Sequence, residues 1–266
     1  MIRLRLRAEI RLNAPGVVVR AAALIGSALA LTLATPDPVA AGASVLRVGR
    51  WNGIAGQYHS IQAAVDAAQA GDWILVGPGD YHERADHRSN RGPQAADAPA
   101  GVIIATQGIH LRGMLRNAVV VDGTKPGSAR CSSKEANQDF GVAGSDNKPL
   151  GRNGILVWKV DNVSIDNLTA CNFLNGAGSA GNEIWWNGGD GSGHIGLHNL
   201  HGSYLTATST FFKDGPTAAS YAIFSSNASG GRWDHMYASN MSDSNYYVGA
   251  CQQVCNQVID DVWSQY

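Results

Sequence analysis

The chain has 266 residues, 44% of them hydrophobic and 15% charged, enough to bury a core without disorder or metal staples. The 20 basic and 21 acidic residues nearly cancel, which leaves no electrostatic case for a nucleic-acid partner. Low charge with 32 glycines suits many short strands joined by tight turns.

Arg3, Arg5, Arg7, Arg11 and Arg20 precede an apolar run from Ala21 to Ala34, and Val39-Ala40-Ala41 offers a small-residue cleavage site. Residues 1–41 therefore read as a secretory signal peptide and 42–266 as the mature domain, a secreted protein with no membrane attachment after cleavage. The alternative is an uncleaved anchor, although the run is short for a membrane span.

Tyr58 to Glu83 is the most ordered pattern in the chain. Ser60 is an N-cap, and Ile61, Ala64, Val65 and Ala68 recur at helical spacing, giving one short amphipathic helix. Gly71-Asp72 ends it, Trp73 to Val76 reads as a buried strand, and Gly77-Pro78-Gly79 turns the chain again. This stretch resembles the opening segment of secreted right-handed parallel β-helix proteins of the pectin-lyase-like superfamily, which includes pectinesterases and pectate lyases. The resemblance implies an all-β solenoid whose short N-terminal helix covers the open first coil.

A four-residue unit, apolar-polar-polar-apolar, then recurs. Its copies are Leu111-Arg112-Gly113-Met114, Ile165-Asp166-Asn167-Leu168, Leu197-His198-Asn199-Leu200, Trp233-Asp234-His235-Met236 and Ile259-Asp260-Asp261-Val262. The last four lie about 26 to 36 residues apart, the period of solenoid coils carrying loops of uneven length. Each polar pair would occupy a corner, so stacked coils predict two columns. One is Asp166, His198, Asp234 and Asp260; the other is Asn167, Asn199, His235 and Asp261. The family resemblance supplies an asparagine ladder at such a corner.

One strand before each corner come Ile155 to Trp158, Glu183 to Trp186, Ala222 to Ser225 and Tyr246 to Gly249, read as strands of a first sheet. The resemblance places a substrate groove on that sheet. Two long irregular stretches, Ala85 to Ala100 and Lys125 to Arg152, are functional or mobile by their length. The chain stops at Tyr266 inside a corner-plus-strand unit, so the domain is expected to be C-terminally incomplete.

Four cysteines in an exported chain suggest disulfides. Cys251 and Cys255 could pair across a short loop, leaving Cys131 and Cys171 as the second bridge, but three pairings are open and buried thiols are the alternative.

Trp233-Asp234-His235 is similar to a W-x-D-H stretch of pectate lyases, yet the repeat puts both polar residues at the corner. A charge-linked trio of His198 between Asp166 and Asp234 is the minority alternative. The acidic candidates for catalysis beside the first sheet are Glu183, Asp190, Asp214 and Asp243. Cleaving or epimerising a uronic polysaccharide needs a neutralised carboxylate, a base for the C5 proton and an acid for the leaving oxygen. A Ca²⁺ ion on acidic side chains could serve the first need. In the lyases this chain resembles Lys or Arg supplies the base; Lys159, Lys213 and Arg232 are the basic residues in reach. Trp185, Trp186, Tyr246 and Tyr247 could stack on sugar rings, although strand alternation turns half of them inward. The run from Asn187 to Gly193 resembles one calcium-binding glycine repeat, and Gln138-Asp139-Phe140-Gly141 echoes pectinesterase motifs in a loop. No complete catalytic motif of either family, nor of polygalacturonases, is present. The expectation is a secreted protein contacting polysaccharide or cell-surface glycan, a lyase or epimerase on acidic glycans, the alternative being a non-catalytic glycan-binding solenoid.

Overall fold

Period-two burial in Val45–Val48 makes strand β1, with Leu46 and Val48 inward and Val45 and Arg47 outward. The computed structural model describes residues 42–85, 99–178, 180–188, 198–213, 217–250 and 256–265. Residues 1–41, read above as a signal peptide, together with Asp190, Asp214, Cys251 and Cys255, lie outside the described residues.

After β1 a small antiparallel pair, β2 (Arg50–Trp51) and β3 (Ile54–Ala55), leads to helix α1 (Ile61–Ala67). The helix starts where expected. Ser60 Oγ accepts from the Ala63 N–H, and the Glu83 carboxylate accepts from the Ile61 and Gln62 N–H groups at 2.6 and 3.2 Å. Ile61, Ala64 and Val65 are buried as the apolar stripe requires. The helix stops slightly earlier than Gly71-Asp72, because Ala68 already has extended backbone.

The following strands fall into coils. The first holds β4 (Trp73–Val76) and β5 (Gly79–Tyr81), and the second β6 (Ala100–Ile104), β7 (His110–Gly113) and β8 (Val119–Asp122). The third holds β9 (Asn153–Trp158), β10 (Ser164–Asp166) and β11 (Thr169–Cys171). The fourth holds β12 (Asn182–Asn187), β13 (Leu200–Ser203) and β14 (Thr206–Thr208). Then come β15 (Tyr221–Ser226) with the long β16 (Gly230–Ser239), and β17 (Ser244–Ala250) with β18 (Asn256–Gln265).

Every inter-coil pairing is parallel, so each strand lies on its counterpart from the coil before, and the chain is a right-handed parallel β-helix. The first sheet runs β6-β9-β12-β15-β17; its last four strands are those anticipated from the sequence, and β6 was not among them. A second run, β1-β4-β7-β10-β13-β16, continues round the corner into a third, β14-β11-β8-β5, because β16 pairs with both β13 and β14. Inside lie Ile74, Leu111, Ile155, Ile165, Phe173, Ile184 and Trp233, all fully buried. Each such side chain contributes about 1.5–3 kcal/mol of hydrophobic stabilisation.

The open edge of the first sheet is closed by a side chain. Gln62 Nε2 donates to the Ile103 carbonyl and its Oε1 accepts from the Ile103 N–H at 2.6 Å, so one amide stands in for a missing neighbouring strand.

The corner columns are real, with one register correction. Strand pairing aligns Arg112, Asp166, Ser203, Asp234 and Asp260 in one file. The residues that follow are Gly113, Asn167, Tyr204, His235 and Asp261, and the last four have φ between 46 and 57°. His198 and Asn199 do not belong to these columns. They sit at the preceding corner, where Asn199 pairs with Asn162 and Nε2 of His198 meets the Ser229 hydroxyl. The reason is volume: the inward place in that coil is Gly202, where a Cβ would lie 2.9 Å from both the Trp186 and Trp233 rings. The expected apolar marker is therefore missing from the sequence. A further ladder stands where the third run ends. Asn172 bonds Thr210 and the Ser132 carbonyl, and Asn240 bonds the Ser209 carbonyl.

Candidate functional site

The first sheet was the expected location, and the structure divides its candidates by face. Trp186 and Tyr246 point inward, Trp186 fully buried against Trp233 and Tyr246 packed on the core with its hydroxyl bound to the Trp263 carbonyl. Neither offers a face to sugar. Trp185 lies on the outer face with Phe224 and Tyr247, their rings stacked at 5.2 and 5.3 Å, but only 6% of Trp185 is exposed against 43% of Tyr247. Lys159 lies over the Trp158 ring.

Glu183 is a correction. Its carboxyl is enclosed, accepts from the Phe173 N–H at 3.2 Å, and cannot touch a polymer laid on the outer face. Burial raises its pKa well above the usual carboxylate range, against the pull of the Phe173 N–H, with the Asp122 charge adding to the rise. Asp243 sits at the sheet's exposed end and accepts from the Tyr221 hydroxyl at 2.6 Å, a bond that pushes Tyr221 up to about 12. Lys213 pairs with Glu135, away from this sheet, while Asp139 is taken up by Arg84 and the buried Arg152.

The second run gathers more chemistry. Strand alternation turns Trp73 and Leu75 of β4, His110 and Arg112 of β7, Ser164 and Asp166 of β10, and His201 and Ser203 of β13 to the outer face. Together with Asn162, Asn199 and Tyr204, most of these line a groove of about 480 Å³. Trp73 stacks on His110 at 4.5 Å, and His110 Nδ1 lies 2.9 Å from the Ser164 hydroxyl. One strand further, His201 Nδ1 is 3.4 Å from Asp166 Oδ1. A carboxylate only accepts, so in the neutral imidazole Nδ1 carries the proton and Nε2 keeps the lone pair.

Asp166 is buried, which raises its pKa, while His201, the Ser164 hydroxyl, Arg112 and His110 pull the other way. Its neighbour Asp234 differs. Burial alone would raise Asp234 too, but hydrogen bonds from Ser203, His235 and Arg232 bring it down to about 2. Asp234 and His235, the W-x-D-H pair, are thus spent on corner contacts: His235 bridges Asp234 and Asp261 and stacks on Tyr204. The place proposed for His198 between Asp166 and Asp234 belongs to Ser203, whose hydroxyl donates to Asp234. Arg232 pairs with Asp234 and not with a first-sheet group.

Sequence reading missed His110, Ser164 and His201. Period-two alternation carried back from the tetrads at Arg112 and Asp166 would have found His110 and Ser164, two positions before each, whereas His201 precedes Ser203 in the coil whose tetrad was misplaced.

The disulfide joins Cys131 to Cys171, tying the long loop to β11. Among the described residues no helix is long and apolar enough to cross a membrane.

No protein-family model and no curated protein sequence matches the chain. Among solved structures it is similar to a pectin methylesterase from Aspergillus niger, 16% identical over 85% of this chain and 68% of that one, with a TM-score of 0.41. A pectin methylesterase mutant in complex with a hexasaccharide is also 16% identical, covering 81% of this chain and 66% of its own, with a TM-score of 0.39. The pectin methylesterase of Erwinia chrysanthemi is 15% identical over 76% and 57%, with a TM-score of 0.38. The chain thus spans 66% of the length of the hexasaccharide-bound protein. At these identities the likeness is one of fold.

Proposed function

We propose that this β-helix acts on an acidic polysaccharide, as a lyase or C5 epimerase, from the groove on its second run of strands. The observation that carries the reading is the His201–Asp166 pair with Arg112 and the Ser164-held His110 in one groove. Removing a proton next to a uronic carboxylate needs that carboxylate neutralised, and the Arg112 guanidinium is the cation at hand. His201 Nε2 takes the C5 proton, with Asp166 holding the imidazole tautomer and favouring the imidazolium that forms. His110 then donates a proton to the departing O4, the C4–O bond breaks and a C4=C5 double bond forms. In an epimerase the proton instead returns to C5 from the other face.

The test incubates full-length protein with pectate and alginate, with and without Ca²⁺. Ultraviolet absorbance reports unsaturated ends and deuterium incorporation at C5 reports epimerisation. His201→Ala is expected to lower kcat by about 100-fold or more. Asp166→Asn, a positioning change, is expected to shift the pH profile of kcat and leave glycan binding intact. Absence of both products from the unaltered protein sinks the enzyme reading.

A second reading, a non-catalytic glycan-binding solenoid, is favoured by the file of Phe224, Tyr247 and Tyr221 on the first sheet. Glycan binding without product, abolished by Tyr247→Ala, would select it.

A further inference from the structure

We propose that Asp80, His82 and Asp122, on and beside the third run of strands, form a binding site for a divalent metal ion of the zinc class. One ligand atom from each residue lies within 4.8 Å of the other two.

The hydrogen bonds fix which atoms are donors. His82 Nδ1 lies 2.8 Å from the Thr124 carbonyl, and a carbonyl only accepts, so Nδ1 bears the proton. In the neutral imidazole Nε2 is then a lone pair, and it faces Asp80 Oδ2 at 3.6 Å. Two lone pairs opposed this way repel unless a cation or a proton lies between them. A ligating imidazole that donates its other N–H to a backbone carbonyl is the common supporting arrangement for a metal-bound histidine.

Asp122 is fully buried and held from behind. Its Oδ1 accepts from the Thr124 N–H at 2.8 Å and its Oδ2 from the Cys131 N–H at 2.5 Å, leaving one lone-pair direction on each oxygen. Cys131 is itself anchored by the disulfide, so the loop that carries this N–H is fixed.

Two polar atoms here have no hydrogen-bond partner although both are sealed from solvent: Asp80 Oδ1 and the hydroxyl oxygen of Thr124, a residue 1% exposed. Leaving such buried groups unpaired is costly, and a bound cation with its water would offset that cost. Asp80 also feels the Asp122 charge. One oxygen of each carboxylate lies within 4.8 Å of the other, so the pair favours a positive guest or a shared proton.

Access comes through a hollow of about 390 Å³ that Asp80 and His82 line with His59, Asp66, Glu83 and Arg84. One imidazole nitrogen with two carboxylates suits Zn²⁺ better than Ca²⁺, which takes 6–8 oxygen ligands. The nearby sulfurs are oxidised and supply no thiolate.

The test needs no glycan, so it is independent of the catalytic reading. Full-length protein stripped by chelator is titrated with Zn²⁺, Mn²⁺ and Ca²⁺ by calorimetry at pH 7.5, and melted with and without each ion. One equivalent of Zn²⁺ is expected, with a rise in Tm. Asp80→Asn and His82→Gln are each expected to weaken Zn²⁺ by more than about 100-fold, while melting without metal close to the parent. His59→Ala at the mouth is expected to leave affinity unchanged. The proposal is overturned if the parent takes up no stoichiometric Zn²⁺, if Ca²⁺ binds in its place, or if Asp80→Asn raises the metal-free Tm and keeps Zn²⁺ affinity. That last pattern would identify a shared proton.

Discussion

Glu183 tests how a single carboxyl is to be read. It was legible as an acidic residue in a first-sheet strand, but not as an inward one, because the backbone N–H that holds it belongs to Phe173, just past the end of β11. Its raised pKa has a definite consequence for stability. Where the folded state holds a proton that the unfolded chain has released, stability is fully present below the ordinary glutamate pKa and falls as pH rises toward the folded value. Glu183→Gln removes that burden while keeping a carbonyl to accept from Phe173. We expect Tm to rise at pH 8, to change little at pH 4, and turnover on any glycan substrate to be unaltered. A catalytic Glu183 would lose turnover instead. Asp166 has the same sign of shift but lies at the groove, paired with a histidine 35 positions further along that only strand register brings near.

At the scale of elements, helix α1 was read correctly from Ser60 and its apolar stripe, since local periodicity encodes both. What the pattern did not reveal is that the helix also pairs with a strand. Gln62 occupies a buried position beside a stripe of Ile, Ala and Val, and its amide completes the ladder at Ile103. Gln62→Leu keeps the volume but strands a buried N–H and a buried C=O. The expected loss is about 2–4 kcal/mol of unfolding free energy, measured by urea titration, with the amide of Ile103 losing hydrogen-exchange protection. Unchanged stability would mean that water replaces the glutamine. The tetrad columns show the same limit. Copies with an apolar inward residue were aligned correctly, whereas the coil with Gly202 was misplaced because neighbouring tryptophans supply its core volume.

For the whole molecule, the solenoid was legible because each coil repeats a short local pattern, while the long loop between β8 and β9 follows no period. That loop is held by chemistry the pattern cannot express: the Cys131–Cys171 bridge and the buried Arg152, which binds Asp139 and the Gly123 and Glu83 carbonyls. Burial lowers the Arg152 pKa to about 10, and Asp139 counters that fall. The bridge closes 40 residues of chain, for which chain entropy predicts about 4 kcal/mol of stabilisation. The double change Cys131→Ser with Cys171→Ser should lower stability by up to that amount in urea. The Zn²⁺ affinity measured for the parent should fall as well, since the Asp122 contact to residue 131 loosens. A loss below about 1 kcal/mol would show that Arg152 alone secures the loop.

In a stack where every layer touches only its neighbours, the imidazole and carboxylate of the groove come from different layers, β13 and β10. Neither layer carries the reactive pair alone. Separating these two layers by one strand width would silence the chemistry while most of the solenoid stayed wound, so turnover would report the cohesion of the middle of the stack.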